Sequence, residues 1–334
     1  MFIDSKPINF KKNLERIASV LQKGNTFLIM THRDPDPDGI GSMLALGKAL
    51  NNDGKEAFLV TEEPLFPPIS RLNGAERIIQ DIESDRYFDC VIVMDSGEVE
   101  RVGGPRSYLE GDLPVINIDH HESNKLFGEI NLVDSSSSST AELVFYVIKA
   151  AGLNINSDAA EDIFAGIQAD TGSFKYNNAT ASSLRIAADM IELGANPWQI
   201  SRTMMQECSV SQLKLLQSAL GSLEFYHNGE IGLMTLSLDM MNFERNRVLE
   251  SNRFIDYPRF VQGVEIAVLI RQTGENDYKF SLRSNDRVNV ARLSARFGGG
   301  GHIRAAGFEC HGSLACLKDS FLKEAVRFLD ETGG

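Results

Sequence analysis

Four short apolar runs stand out in the first part of the chain: TFLIMT at 26–31, EAFLV at 56–60, DCVIVM at 89–94 and PVINI at 114–118. Each has the length of a strand, and the stretch after the first, IGSMLALGKAL, has helical spacing. Continuous apolar strands separated by helices indicate a buried parallel sheet. From 139 to 221 the apolar positions recur with helical periodicity in TAELVFYVIKAAG, SDAAEDIFAGIQAD, ASSLRIAADMIELG and VSQLKLLQSAL. Gly152 and Gly194 suit helix ends, Pro197 suits a first helical turn, and Ser139 with Glu142 forms a capping arrangement. Beyond 222 the pattern changes to hairpins, one over 223–237 turning at Asn228-Gly229 and one over 264–284 around GENDY. A helix at 289–297, a glycine-rich loop and a final helix near 314–330 complete the chain. The expected fold class is α/β. It has an N-terminal parallel-sheet domain over 1–195, a helical linker over 196–221 and a smaller C-terminal α/β domain over 222–334.

Three of the predicted strands run straight into polar clusters: His32 to Asp38, Asp95, and Asp119 to His121. Ligands of open α/β sheets bind at the carboxyl ends of the strands, so these clusters fall where a site belongs. The segment QADTG adds Asp170. A lone Asp after a strand is ordinarily a cap or turn residue, and Asp34 and Asp112 fit that reading. It does not account for four clusters at successive element ends, two of which mix His with Asp. Histidines with several carboxylates and no thiolate suit Mn²⁺ or Mg²⁺ better than structural zinc. So many carboxylates could not all ionise in one pocket without cations. Two metal ions about 3.5–4 Å apart would offset them and clamp a phosphoryl group.

Composition narrows the partners. The chain has 334 residues, 43% of them hydrophobic, enough for two cores, and a formal net charge of -13. A surface this acidic disfavours long polynucleotides, whose binding relies on phosphate neutralisation by Lys and Arg. A nucleic-acid substrate would therefore be short and locally held. Cys90, Cys208, Cys310 and Cys316 show no CxxC spacing and read as reduced thiols of a cytoplasmic protein. No secretory signal and no transmembrane run is visible, so no membrane partner is expected.

The clusters, taken together, resemble the DHH phosphoesterase superfamily. Its naming string stands here in VINIDHHESN, and its other motifs in HRDPDPDGIGS, VMDSGEVERVG and GIQADTGSFKYNNAT. The segment FGGGGHIRAAGF is similar to the signature of the DHH-associated C-terminal domain. The five matches occur in family order over 26–308. The resemblance implies one metal site from His32, Asp36 and Asp95, and a second from Asp38, Asp95, His120 and Asp170. Asp95 would bridge the ions, His121 would face the substrate phosphate, and Asp119 would orient a ligand from behind. Two divalent ions are implied, Mn²⁺ first and Mg²⁺ as the alternative, with hydrolysis by a metal-activated hydroxide. Pro37 departs from the family, which more often has a small residue there, and stiffens the loop.

In the second domain the resemblance gives Gly299, Gly300, Gly301 and His302 a role in substrate binding. Arg271 and Arg283, in LIRQ and SLRS, are candidates for phosphate contacts. Within the superfamily the domain pair looks most like the nanoRNase/pAp phosphatase group, which acts on RNA of a few nucleotides and on 3′-phosphoadenosine 5′-phosphate (pAp). The alternatives are a cyclic di-AMP/pApA phosphodiesterase, an exopolyphosphatase-related hydrolase and a non-catalytic nucleotide sensor. A homodimer is compatible with the resemblance, but no residue pattern demands it.

Overall fold

A computed structural model describes residues 6–82, 86–102, 108–206, 209–241 and 251–332. The chain divides into two compact units, Met1–Glu207 and Cys208–Gly334. Cys208 and residues 333–334 lie outside the described residues.

The first unit is built on five parallel strands in the order β2-β1-β3-β4-β5. They are β1 (Thr26–Met30), β2 (Glu56–Val60), β3 (Cys90–Met94), β4 (Val115–Asp119) and β5 (Ile130–Val133). Side chains alternate across a strand. Phe27 and Ile29 of β1 therefore enter the large core on one face, while Leu28 and Met30 enter a smaller one on the other. Helices α1 (Ile8–Lys23), α2 (Pro37–Asn52), α3 (Thr140–Ala151), α4 (Ser157–Asp170) and α5 (Ala181–Glu192) contribute to the large core, and α6 (Pro197–Ser201) adds Ile200. Helix α1 was not expected from the sequence, although Phe10, Leu14, Ile17, Ala18 and Leu21 form a buried stripe of helical period. Strand β5 was also missed, because its four residues, INLV, make too short a run to stand out.

Helices α2 and α4 approach closely because glycines face across them. A Cβ on Gly41 would lie 2.6 Å from the Asp162 carbonyl oxygen. One on Gly166 would lie 2.6 Å from the Ala141 Cβ and 2.8 Å from Asp38 Oδ1. Lys48 and Asp162 join the same two helices in a buried ion pair of 2.6 Å. This contact brings the first turn of α2 and the last turn of α4 to the carboxyl ends of the strands.

The second unit holds a six-stranded mixed sheet in the order β10-β11-β9-β8-β7-β6. Its strands are β6 (Glu224–Tyr226), β7 (Ile231–Leu236), β8 (Ile266–Gln272), β9 (Asp277–Ser284), β10 (Gly300–His302) and β11 (Ala305–His311). The β6–β7 turn has positive φ at His227, Asn228 and Gly229, as a tight hairpin requires. The helices Val290–Ala295 and Leu314–Thr332 cover one face, over a cluster of Phe280, Phe297, Phe308 and Phe321. Helix α7 (Val210–Leu220) contributes Leu215 and Ala219 to the core on the other. The expected glycine-rich loop is in part an edge strand. Gly301 sits at φ +139, where a Cβ would press on the Ala305 carbonyl, and Gly299 is packed against the Gly307 carbonyl. Chain geometry explains these two glycines, whereas Gly300 has open space around its Cβ position. No helix among the described residues is long and apolar enough to cross a membrane.

If the glycine contacts set the α2–α4 distance, Gly41→Ala and Gly166→Ala should each destabilise the protein by about 1–3 kcal/mol, the usual cost of overpacking. Denaturant midpoints would measure this. Unchanged midpoints would mean that the helices can move apart freely.

Candidate metal centre

His32 follows β1 directly. Its Nδ1 lies 2.7 Å from the Arg33 carbonyl oxygen, an arrangement in which Nδ1–H donates and Nε2 is left for other work. That Nε2 is 3.5 Å from Asp95 Oδ2. Asp36 is the N-cap of α2, where its Oδ1 accepts the amides of Asp38 and Gly39 at 2.9 and 3.0 Å. Pro37 thus occupies the first helical position, where its fixed φ and missing N–H are no handicap. The departure from the family pattern lands where proline fits.

Asp38 is buried, and its two oxygens accept the amides of Thr140 and Ala141 at 2.7 and 2.9 Å. These amides open α3, so the helix N-terminus favours the carboxylate. Burial nonetheless pushes the Asp38 pKa well above the ordinary carboxylate range, with repulsion from Asp95, Asp170 and Asp36 adding to it. Asp170 is raised in the same way, by burial and then by Asp36 and Asp95. It also ends α4, the negative end of the helix dipole. Both carboxylates therefore call for a cation.

Asp95 follows β3 with φ +54, in the left-handed region that costs an ordinary residue about 1–2 kcal/mol. Thr140 Oγ1 donates to its Oδ1 at 3.0 Å. Three imidazoles face it: His32 on Oδ2, with His120 at 3.8 Å and His121 at 3.6 Å on Oδ1. Burial opposes its charge, but these histidines outweigh burial and hold its pKa below the usual value. His120 Nε2 is also 3.4 Å from Asp170 Oδ2. His121 donates through Nδ1 to Asp119 at 2.6 Å, and Asn124 fixes the other Asp119 oxygen at 2.6 Å. Burial works against the His121 imidazolium, yet Asp119 and Asp95 raise its pKa to about 9.

Potential ligand atoms gather in three overlapping groups, each lying within 4.8 Å: His32, Asp36 and Asp95; Asp38, His120 and Asp170; and Asp95, His120 and His121. Oxygen and nitrogen donors without thiolate, with excess negative charge, fit divalent metal ions. The ring contacts and the Thr140 and Asn124 bonds were not foreseen. Thr140 stands one residue past a helix cap, and nothing in its local pattern marks it.

In the second unit, Arg283 lies opposite Ala267 on β8 and Ala305 on β11, and Ala305 in turn pairs with His302. Arg271 is four residues farther along β8 than Ala267, roughly 13 Å at the rise of an extended strand. The two arginines share a sheet face, with their backbones near opposite ends of the paired segment. Arg271 is buried, with Nη1 3.5 Å from Ser251 Oγ, while Arg283 Nη1 donates to the Leu282 carbonyl at 3.0 Å.

Comparison with known proteins agrees with this arrangement. Residues 26–167 match the DHH family, N-terminal domain, and residues 245–332 match the DHHA1 domain. The bifunctional oligoribonuclease and PAP phosphatase NrnA of Thermus thermophilus is 34% identical over 317 residues, covering 95% of this chain and 94% of its own. A probable protein of the same name from Streptococcus mutans is 25% identical, covering 91% of this chain and 96% of its own. The crystal structure of an exopolyphosphatase-related protein from Bacteroides fragilis superposes with a TM-score of 0.86 at 25% identity, covering 96% of each chain.

Metal binding should be linked to protons. With folded pKa values raised for Asp38, Asp170, His32 and His121, the metal-free fold holds protons that the unfolded chain releases. Its stability should therefore fall as pH rises from 6.5 towards 9. Bound cations replace those protons. The rise in melting temperature on adding Mn²⁺ should be larger at pH 8.5 than at pH 6, and the equality of the two rises would count against a shared carboxylate–histidine centre.

Proposed function

Because the chain belongs to the DHH/DHHA1 phosphoesterase family, we propose that it hydrolyses very short oligoribonucleotides and removes a phosphate from pAp, using two divalent metal ions. The observation that carries this reading is the sharing of Asp95 and His120 among three ligand groups, which suits two neighbouring cations better than one. His32, Asp36 and Asp95 would hold the first ion, and Asp38, Asp95, His120 and Asp170 the second, with Mn²⁺ the favoured metal. When bound, such ions supply an activated hydroxide near neutral pH and neutralise phosphoryl charge. His121, kept cationic by Asp119, is the donor for a phosphoryl oxygen, and the Asp119–Asn124 bond fixes its ring. Thr140 holds Asp95 in place through a second hydrogen bond.

Arg271, Arg283, Gly299, Gly300, Gly301 and His302 are proposed to bind the nucleotide. The open space at Gly300 leaves room for a ligand, since nothing in the chain itself forbids a side chain there. The strand spacing of the arginines supports contacts to separate groups of one short substrate. The net charge of -13 supports a short substrate over a long one.

Initial rates with Mn²⁺ should be compared for pApA, a ten-nucleotide RNA, pAp, cyclic di-AMP and pyrophosphate. We expect fast turnover of pApA and pAp and a loss of at least about 10³-fold in Asp95→Ala, because removing a shared ligand dismantles both ion sites. Dominant cleavage of cyclic di-AMP would transfer the chain to that activity, and pyrophosphate alone would sink the nucleotide assignment.

A further inference from the structure

The metal centre has a cationic neighbour with no role so far. Arg101 lies in the short 3-10 turn Val99–Val102 that follows β3 and Asp95. Its carbonyl oxygen accepts the Arg33 amide at 2.7 Å, which ties the turn to the segment carrying His32. The Arg33 guanidinium is itself engaged, donating to the Glu100 carbonyl at 2.9 Å. Val102, at the end of the turn, is buried in the smaller core of the first unit. The Arg101 side chain is half-buried, and among the described residues its guanidinium has no hydrogen-bond or ion-pair partner. Most partly desolvated cations are paired. The backbone tie to Arg33 keeps the turn beside the His32 segment, and the rings of His32 and His121 both lie within range of the Arg101 charge.

Charge counting gives this placement a meaning. The carboxylates of Asp36, Asp38, Asp95 and Asp170 balance two divalent cations. A phosphodiester then adds one uncompensated negative charge, whereas a phosphomonoester adds nearly two near neutral pH, its second ionisation falling at about 6. A centre that accepts both needs a further positive donor for the monoester. Arginine suits that task, because its planar fork matches phosphoryl oxygens.

We propose that Arg101 contacts the phosphoryl group under attack when that group is a monoester, and so sets the balance between monoesterase and diesterase activity at this centre. The proposal rests on the reading of the chain as acting on both pAp and short RNA. It separates Arg101 from the residues that serve both substrates alike.

The test compares wild type, Arg101→Gln and Arg101→Lys in the full chain with Mn²⁺. kcat/KM is measured on pAp and on pApA, and adenosine 5′-monophosphate affinity is measured by calorimetry. Loss of a charge-assisted contact predicts a fall of about 10- to 100-fold on pAp and in adenosine 5′-monophosphate affinity, with a fall of less than about fivefold on pApA. Arg101→Lys, which keeps the charge but not the fork, should recover part of the pAp rate. Unchanged Mn²⁺ affinity and melting temperature would establish that the variants fold. A pAp to pApA ratio that moves by less than roughly threefold overturns the proposal, as does unaltered affinity for adenosine 5′-monophosphate. If wild type turns over neither substrate, the functional reading fails by itself, and the calorimetry alone decides whether Arg101 binds a phosphomonoester.

Discussion

Asp36, Asp38, Asp95 and Asp170 are gathered around one small volume, and like charges so confined oppose their own ionisation. The surrounding structure can be understood as a response to that repulsion. The α3 N-terminus gives two amides to Asp38, the α2 N-terminus gives two to Asp36, and three imidazoles close on Asp95. These contacts do not satisfy the cluster, because Asp38 and Asp170 remain biased towards the protonated form. The remainder is an electrostatic demand that divalent ions would meet, and their binding would add to the stability of the fold.

The same demand explains the close approach of the helices. Asp38 lies in the first turn of α2 and Asp170 ends α4, so their separation depends on how tightly these antiparallel helices pack. Gly41 and Gly166 permit that contact, and Gly39 leaves room beside Thr31 and the Asp95 carboxylate. Glycines inside helices cost backbone entropy. Here the glycines let Asp38 and Asp170 come together in one group with His120.

The fold class and the sheet were legible because buried parallel strands read as plain apolar runs, and the clustered His and Asp residues stood out because each lies at or next to an element end. The parts that were not legible depend on long-range contacts. Helix α1 carries many charges between its apolar positions, and β5 is too short to separate from the turns beside it. Thr140 supports Asp95 across 45 residues of chain, and Asn124 fixes Asp119 from a turn. The sequence also marked Arg271 and Arg283 as one pair of candidates. Strand register places them roughly 13 Å apart along the sheet, a separation that a pattern of residues along a single strand does not reveal. Arg101 stands in the segment VMDSGEVERVG, where nothing in the local pattern separates it from a solvated surface arginine.

Metal ligands of this kind treat any phosphoryl group much alike, so substrate choice must be set by side chains outside them. Two kinds are available here. On the proposed reading, the guanidinium of Arg101 would respond to the charge of the group being cleaved and so distinguish a monoester from a diester. On the same reading, Arg271 and Arg283, at fixed strand spacing on the sheet of the second unit, would respond to the distance between groups of one ligand and so distinguish lengths. Charge and length are independent properties of a nucleotide. A chain that reads them with separate residues can accept two ester types while rejecting long polymers, and its acidic surface reinforces only the second discrimination.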